Sequence, residues 1–249
     1  MRVLVTGSAD GLGHAAADTL LAAGHDVVVH VRNSKRLAAV GTLAERGADV
    51  VVGDLAHLEE TRDVAEQANQ LGRMDAVIHN AGVYTGPAIM PVNVVAPYAL
   101  TMLMHRPDRL VYLSSGAHRS GRPKLAGLDW NGASVTGSYS DSKLFVTTLA
   151  LALARLWPEV LTNAVDPGWV PTRMGGPNAP DDLRLGHLTQ EWLATSDDSE
   201  ALTSGGYWHH QHRSSPHASA HDERFQGEVL DVLAGFTGIP FSLSAPTRQ

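Results

Sequence analysis

The chain has 249 residues, 43% of them hydrophobic and 18% charged, which is enough apolar material for a substantial core and unlike a disordered chain. Lys and Arg number 19 against 26 Asp and Glu, so the formal charge of -7 argues against a general nucleic-acid binder, and any anion site must be local. The absence of cysteine excludes disulfides, Cys-ligated metals, iron–sulfur clusters and thiol nucleophiles.

Short β-branched runs at 2–6, 26–31, 49–52, 75–79 and 109–113 alternate with helix-like stretches at about 12–23, 34–46, 58–71 and 92–104. This alternation predicts an α/β fold, a doubly wound parallel sheet with helices on both faces. A long buried helix is predicted over 137–156, ended by Trp157-Pro158. A sixth strand follows at 160–165, a seventh around 206–209 and a last helix at 222–235, giving a three-layer fold around one sheet of about seven strands. Pro171, Gly175, Gly176, Pro177, Pro180 and Gly186 mark a substrate loop at about 171–205. With no repeat and no linker, the expectation is one domain over 1–249. No charged leader precedes Val3-Leu4-Val5, and the apolar stretch Phe145–Trp157 is too short for a bilayer and contains Arg155. A soluble, cytoplasmic protein with no membrane partner is expected.

The first strand runs into Thr6-Gly7-Ser8-Ala9-Asp10-Gly11-Leu12-Gly13 and then a helix. Glycines at 7, 11 and 13 allow a tight turn, and the helix amino end offers free N–H groups to a pyrophosphate. The second strand ends His30-Val31-Arg32-Asn33, with Lys35 and Arg36 beyond. An NAD site places an acid near this strand end, whereas an arginine there can bind a 2′-phosphate, so NADP(H) is favoured over NAD(H). Asp54 stands where a carboxylate could accept the adenine amino group, or could serve as a helix N-cap.

Tyr139 and Lys143 are spaced i, i+4 and share one helix face. A tyrosine pKa near 10 needs help to exchange protons near neutrality, and an adjacent ammonium stabilises the phenolate. Together, Thr6-Gly7-x-x-x-Gly11-x-Gly13, Asp54-Leu55, Asn80-Ala81-Gly82, Asn93, Ser114-Ser115, Tyr139-x-x-x-Lys143 and Pro167-Gly168-x-Val170-x-Thr172 resemble the short-chain dehydrogenase/reductases, classical type. The stretch Leu113-Ser114-Ser115-Gly116-Ala117-His118 looks most like the retinol-dehydrogenase-like reductases.

The resemblance implies a Rossmann-fold oxidoreductase passing hydride between a nicotinamide and a carbonyl or secondary alcohol. It implies Tyr139 as general acid or base, Lys143 as the residue that lowers the tyrosine pKa and bonds the ribose, and Ser115 as the group polarising the substrate oxygen. It makes Asn93 the holder of a proton-relay water. Asn80, Ala81 and Gly82 would line the cofactor pocket, and Pro167, Gly168, Val170 and Thr172 would hold the nicotinamide. His79 stands where the family usually has a further asparagine, and Asn80 and Asn93 are unusually close. The helix after Asn93 commonly joins the family's dimer interface; here it is short and contains Pro97. A homo-oligomer is possible, but that interface is not expected in its usual form.

Tyr84, His118, Trp130, Trp169, Met174 and Trp192 are candidate walls of an apolar substrate pocket, each with core packing as the plain alternative. His209, His210, His212, His217 and His221 fall in a Ser- and Pro-containing stretch without metal-ligand spacing, and no metal is expected. A catalytically silent dinucleotide-sensing protein of the same fold is the alternative function. A sugar-nucleotide epimerase is disfavoured because little chain follows Thr172 to build a second domain.

Overall fold

The computed structural model describes residues 1–242; the last residues of the expected domain, 243–249, lie outside the described residues. The strands are β1 (Arg2–Val5), β2 (Asp26–Val31), β3 (Asp49–Val52), β4 (Ala76–His79), β5 (Arg109–Leu113), β6 (Leu161–Asp166), β7 (Tyr207–His209) and β8 (His212–Ser214). They form one sheet in the order β3-β2-β1-β4-β5-β6-β7-β8. All pairs are parallel except β7 with β8. The chain reverses its winding between β1 and β4, which opens a crevice at their carboxyl ends.

Alternate strand residues point to opposite layers. Leu4, Val28, Val77, Leu110, Tyr112 and Ala164 enter one core. Their neighbours Val3, Val5, Val27, Val29, Ile78, Val111 and Val165 enter the other. The first core is covered by α3 (Leu58–Gln70), α4 (Ala96–Leu103), α5 (Tyr139–Leu156) and α7 (Glu223–Thr237). The second is covered by α1 (Gly11–Ala22), α2 (Gly41–Glu45) and α6 (Leu183–Thr195).

Several elements differ from expectation. The stretch predicted as one helix at 34–46 is a 3-10 segment, Ser34–Val40, followed by the short α2. The stretch predicted at 92–104 opens with a π-turn, Pro91–Val95, before α4. Pro97 has no N–H for the carbonyl four residues back, at Asn93, so a widened turn resolves the mismatch. The expected substrate loop contains α6, capped by Asp182, whose side chain accepts from Leu185 N–H. An eighth strand, β8, stands beyond the seven expected. Its two-residue hairpin turn, His210-Gln211, has both residues left-handed at φ 49° and 62°, without the glycine or asparagine that usually signals such a turn. Gln211 N–H donates to Thr189 Oγ1 at 2.9 Å, fastening the turn to α6.

His79, where the resemblance leads to the expectation of a further asparagine, is a core residue. It is 3% exposed, stacks on Tyr112 at 4.6 Å and hydrogen bonds Thr101. Burial pushes its pKa down to about 3, so it stays neutral.

The long helix starts with a capping box. Ser138 Oγ accepts from Asp141 N–H, and the Asp141 carboxylate accepts from Ser138 N–H, each at 3.0 Å. Arg122 N–H also donates to Asp141, at 2.8 Å. Burial alone would raise the Asp141 pKa, but the hydrogen bonds from Arg122 and Ser138 hold it at about 2. A carboxyl with a lowered native pKa stabilises above the ordinary carboxylate range, and that contribution fades as pH falls through about 2. Asp141→Ala is expected to cost about 1–2 kcal/mol in urea unfolding at neutral pH. An unchanged midpoint would show the cap to be idle.

The carboxyl end of the described chain straps α7 and its neighbours to α4 and α5. Tyr98 Oη donates to Ile239 O at 2.7 Å, Trp157 Nε1 donates to Ser242 O at 2.9 Å, and Phe241 stacks on Trp157 at 5.7 Å.

Candidate active site

A cleft of about 850 Å³ opens at the reversal between β1 and β4. Its floor at one end is the glycine-rich turn, with Gly7, Asp10, Gly11 and Leu12 on its wall. Gly7 and Gly11 are left-handed, at φ 71° and 56°. Gly13 serves packing beneath the turn, since a Cβ there would strike the Asn80 amide and the Gly7 carbonyl. Ser8 is buried and donates to Val5 O at 2.5 Å, so it braces the turn without reaching the cleft. The Asp10 side chain does not cap α1. The N–H groups of the first helical turn, which have no partner inside a helix, are thus left at the cleft end.

At this end Arg32 and Arg36 both line the cleft. Arg32 lies 3.9 Å from Asp54, and Arg36 donates to Asp10 at 2.9 Å. Each cation therefore has a carboxylate neighbour. Asp54 is no helix cap, because α3 begins only at Leu58; it accepts from Ala56 N–H in a local turn. Asn33 lies outside the cleft wall, at the start of the 3-10 segment, and its buried Oδ1 has no partner.

Asn80, Ala81, Gly82, Tyr139, Lys143, Pro167 and Thr172 line the other end, with Tyr84 and Met174 at its mouth. Tyr139 and Tyr84 rings meet at 4.8 Å. The Ser115 hydroxyl stands close enough to Tyr139 to ease its pKa, and its Oγ accepts from Ala117 N–H at 3.2 Å. Lys143 is buried and donates from Nζ to Leu113 O at 2.7 Å, at the end of β5. Its Nζ lies 5.6 Å from the Tyr139 ring centre. Burial lowers the Lys143 pKa to about 8, and Asp166 opposes that fall. Burial raises the Tyr139 pKa to about 12, and the nearby Ser115 hydroxyl only partly offsets it. The expected lowering of the tyrosine pKa by lysine is therefore not met by these residues alone.

Asn93 stands behind the wall. Its side chain accepts from Val83 N–H at 2.8 Å, and donates to Val83 O and Ser142 Oγ, each at 2.9 Å. Gly168 is left-handed at φ 79°, and a Cβ there would press on Asp181. Val170 is buried, close against Gly186.

Four expected pocket walls are elsewhere. His118 is fully buried between Ser115 O, 2.7 Å from its Nδ1, and His217 N–H, which donates to its Nε2 at 2.9 Å; it packs on Tyr207. Trp130 packs into the core against Phe145. Trp192 meets Trp208 edge-on under the other sheet face. Trp169 is exposed and donates its indole N–H to Gly175 O at 2.8 Å, away from the cleft wall. Residue type marked these rings as apolar, but only long-range packing assigns each to core, surface or cleft.

Sequence reading passed over Asp166. This buried carboxylate ends β6 and accepts from Gly168 N–H at 3.0 Å. An acid closing the strand segment Leu161–Asp166, just before Pro167, is the available signal. His30, on the cleft wall, carried no motif at all.

A glycine turn, a helix end and a tyrosine–lysine pair in one cleft of a doubly wound sheet define a dinucleotide-binding α/β protein. The model of the short chain dehydrogenase family matches residues 1–117. An uncharacterized oxidoreductase of Emericella nidulans, AN7799, is 37% identical over 254 residues, covering 96% of this chain and 98% of its own. The short-chain dehydrogenase chry4 of Gibberella zeae is 35% identical, covering 96% and 97%. A Streptomyces protein provisionally named daunorubicin C-13 ketoreductase DnrU is 31% identical, covering 95% and 92%. Among solved structures, a blue fluorescent protein from a metagenomic library in complex with NADPH superposes with a TM-score of 0.69 at 25% identity, covering 84% of this chain and 95% of the other. The chain belongs to the short-chain dehydrogenase/reductase family and is an oxidoreductase. Among the described residues no helix is long and apolar enough to cross a membrane.

Proposed function

We propose that the protein is an NADP(H)-dependent carbonyl reductase acting on a small, largely apolar ketone or aldehyde. The observation that carries this is Tyr139, close to Ser115 and beside Lys143, in the same cleft as the glycine turn and Arg32. The residues fit a dinucleotide. The left-handed glycines bring the backbone close, the helix end faces the cleft, and two arginines stand at its ribose end. The bound nicotinamide supplies or accepts the hydride.

Tyr139 would donate its proton to the substrate oxygen, and a pKa raised to about 12 keeps it in the proton-bearing form. Ser115 would hold that oxygen where negative charge develops. The Lys143 ammonium, anchored on Leu113 O, would hold the ribose hydroxyls and replenish the tyrosine proton. Asn93 would act from behind, through the widened turn at Pro91–Val95. Arg32 would meet the 2′-phosphate, and Asp54 would face the adenine. Tyr84 and Met174 would form the apolar mouth. The α4 helix, which the resemblance places at the family's dimer interface, is short and carries Tyr98, whose hydroxyl donates to Ile239 O, which supports a form without that interface. The composition and the cleft support a small-molecule partner and no nucleic acid.

The test is fluorescence titration with NADPH and NADH, followed by a carbonyl panel using the tighter cofactor. Tight NADPH binding with turnover is the expected result; binding of neither cofactor would end the reading. The pH dependence follows from Lys143. It is charged below about 8, so reduction should be level under that value and decline as pH rises through it. A rate that climbs with pH across that range would place the reaction in the hands of an ionised base instead.

A further inference from the structure

His30 lies inside β2, 3% exposed, where the glycine turn passes the end of β3. Its two ring nitrogens reach different segments. Nε2 is 2.8 Å from the Gly53 carbonyl, and Nδ1 is 3.0 Å from Gly7 N. The carbonyl can only accept and the amide N–H can only donate. One tautomer satisfies both, the neutral ring with its proton on Nε2. Burial lowers the ring pKa, which keeps that form. The backbone of the same residue binds the next residue of the turn. Ser8 N–H donates to His30 O at 3.0 Å, and His30 N–H donates to Ser8 Oγ at 3.2 Å.

Ser8 braces the turn through Val5 O and Asn80 Nδ2 donates to Thr6 O, but neither of these bonds engages the Gly7 N–H. Gly7 is left-handed, and a Cβ there would lie 2.9 Å from Ala81 Cα, so no side chain can be carried at that point. The group that accepts its N–H comes from another strand, and the His30 imidazole is that group.

We propose that His30 is a positioning residue for the dinucleotide: its ring fixes the Gly7 N–H and ties the turn to the end of β3, so that the amino end of α1 is set to meet the pyrophosphate. This rests on reading the cleft as a dinucleotide site. The pyrophosphate is common to both cofactors, so His30 acts on NADPH and NADH alike, in contrast to Arg32.

Three variants test it by titration with each cofactor. His30→Leu removes both ring bonds. His30→Asn keeps an acceptor near the place of Nδ1 and nothing near Nε2. His30→Gln reaches the place of Nε2 and leaves Gly7 without its acceptor. Leu is expected to weaken NADPH and NADH binding alike, by about ten-fold or more, because a buried N–H loses its partner. Its kcat at saturating cofactor should stay near wild type, a separation that general loss of structure would not produce. Asn should recover most of the affinity and Gln should not. Should the Leu variant fail to fold, the Asn–Gln pair carries the test. Leu binding as tightly as wild type, Gln binding as tightly as Asn, or Asn no better than Leu overturns the proposal. Wild-type protein that binds neither cofactor overturns the reading of the cleft and this inference with it; tight wild-type binding with an unaffected Leu variant overturns this inference alone.

Discussion

Tyr139→Phe is expected to lower kcat by about 10²–10⁴-fold while leaving the dissociation constants of NADPH and NADH near wild type. The phenyl ring keeps the burial and the 4.8 Å contact with Tyr84, so that side of the cleft retains its shape. Only the hydroxyl goes, and with it the proton donor that stands close to Ser115. Ser115 still accepts from Ala117 N–H, so its hydroxyl is not set adrift. The binding and rate effects must therefore separate. Steady-state rates beside fluorescence titration of the same preparation give the answer. Turnover within a few-fold of wild type would remove Tyr139 as the acid.

Arg32→Asp is expected to weaken NADPH binding by about 100-fold, or roughly 3 kcal/mol, and NADH binding only slightly. Two effects add. A charge-assisted bond to the 2′-phosphate is lost, and a new carboxylate repels that phosphate beside Asp54, already 3.9 Å from the Arg32 guanidinium. Arg36 cannot fully compensate, because Asp10 holds it at 2.9 Å. Arg32 is two-thirds exposed, so the difference between cofactors should shrink as salt is added. Equal losses for both cofactors would withdraw the NADP(H) assignment.

Much of the fold is legible in the sequence because strand alternation and glycine placement are local. Val3-Leu4-Val5 and Val27-Val28-Val29 are apolar on both sides since both sheet faces are covered. The turn from Gly7 to Gly13 and the Tyr139–Lys143 spacing depend on neighbours in the chain, and the cleft holds residues of both. The hairpin before β8 escapes notice because His210 and Gln211 adopt a backbone they seldom choose, held there by Thr189 of α6. His118 and Trp130 mislead for a related reason. Their partners Tyr207, His217 and Phe145 are remote in sequence, and nothing local shows that they turn inward. His30 is the converse case, a residue inside an apolar run whose two bonds go to Gly7 and Gly53.

The strap across α5 has a consequence for how the protein reaches its native state. Residues Leu144 to Leu153 form a buried, largely apolar ridge whose cover, α7, comes much later in the chain. During synthesis the nucleotide-binding half and the whole of α5 leave the ribosome before Phe225, Val229 and Leu233 exist to shield that ridge. Such late, distant pairing slows folding and leaves sticky surface exposed in the interval. Arrested chains ending before Glu223 should therefore bind a hydrophobic dye or a chaperone, and release it only when α7 has been added.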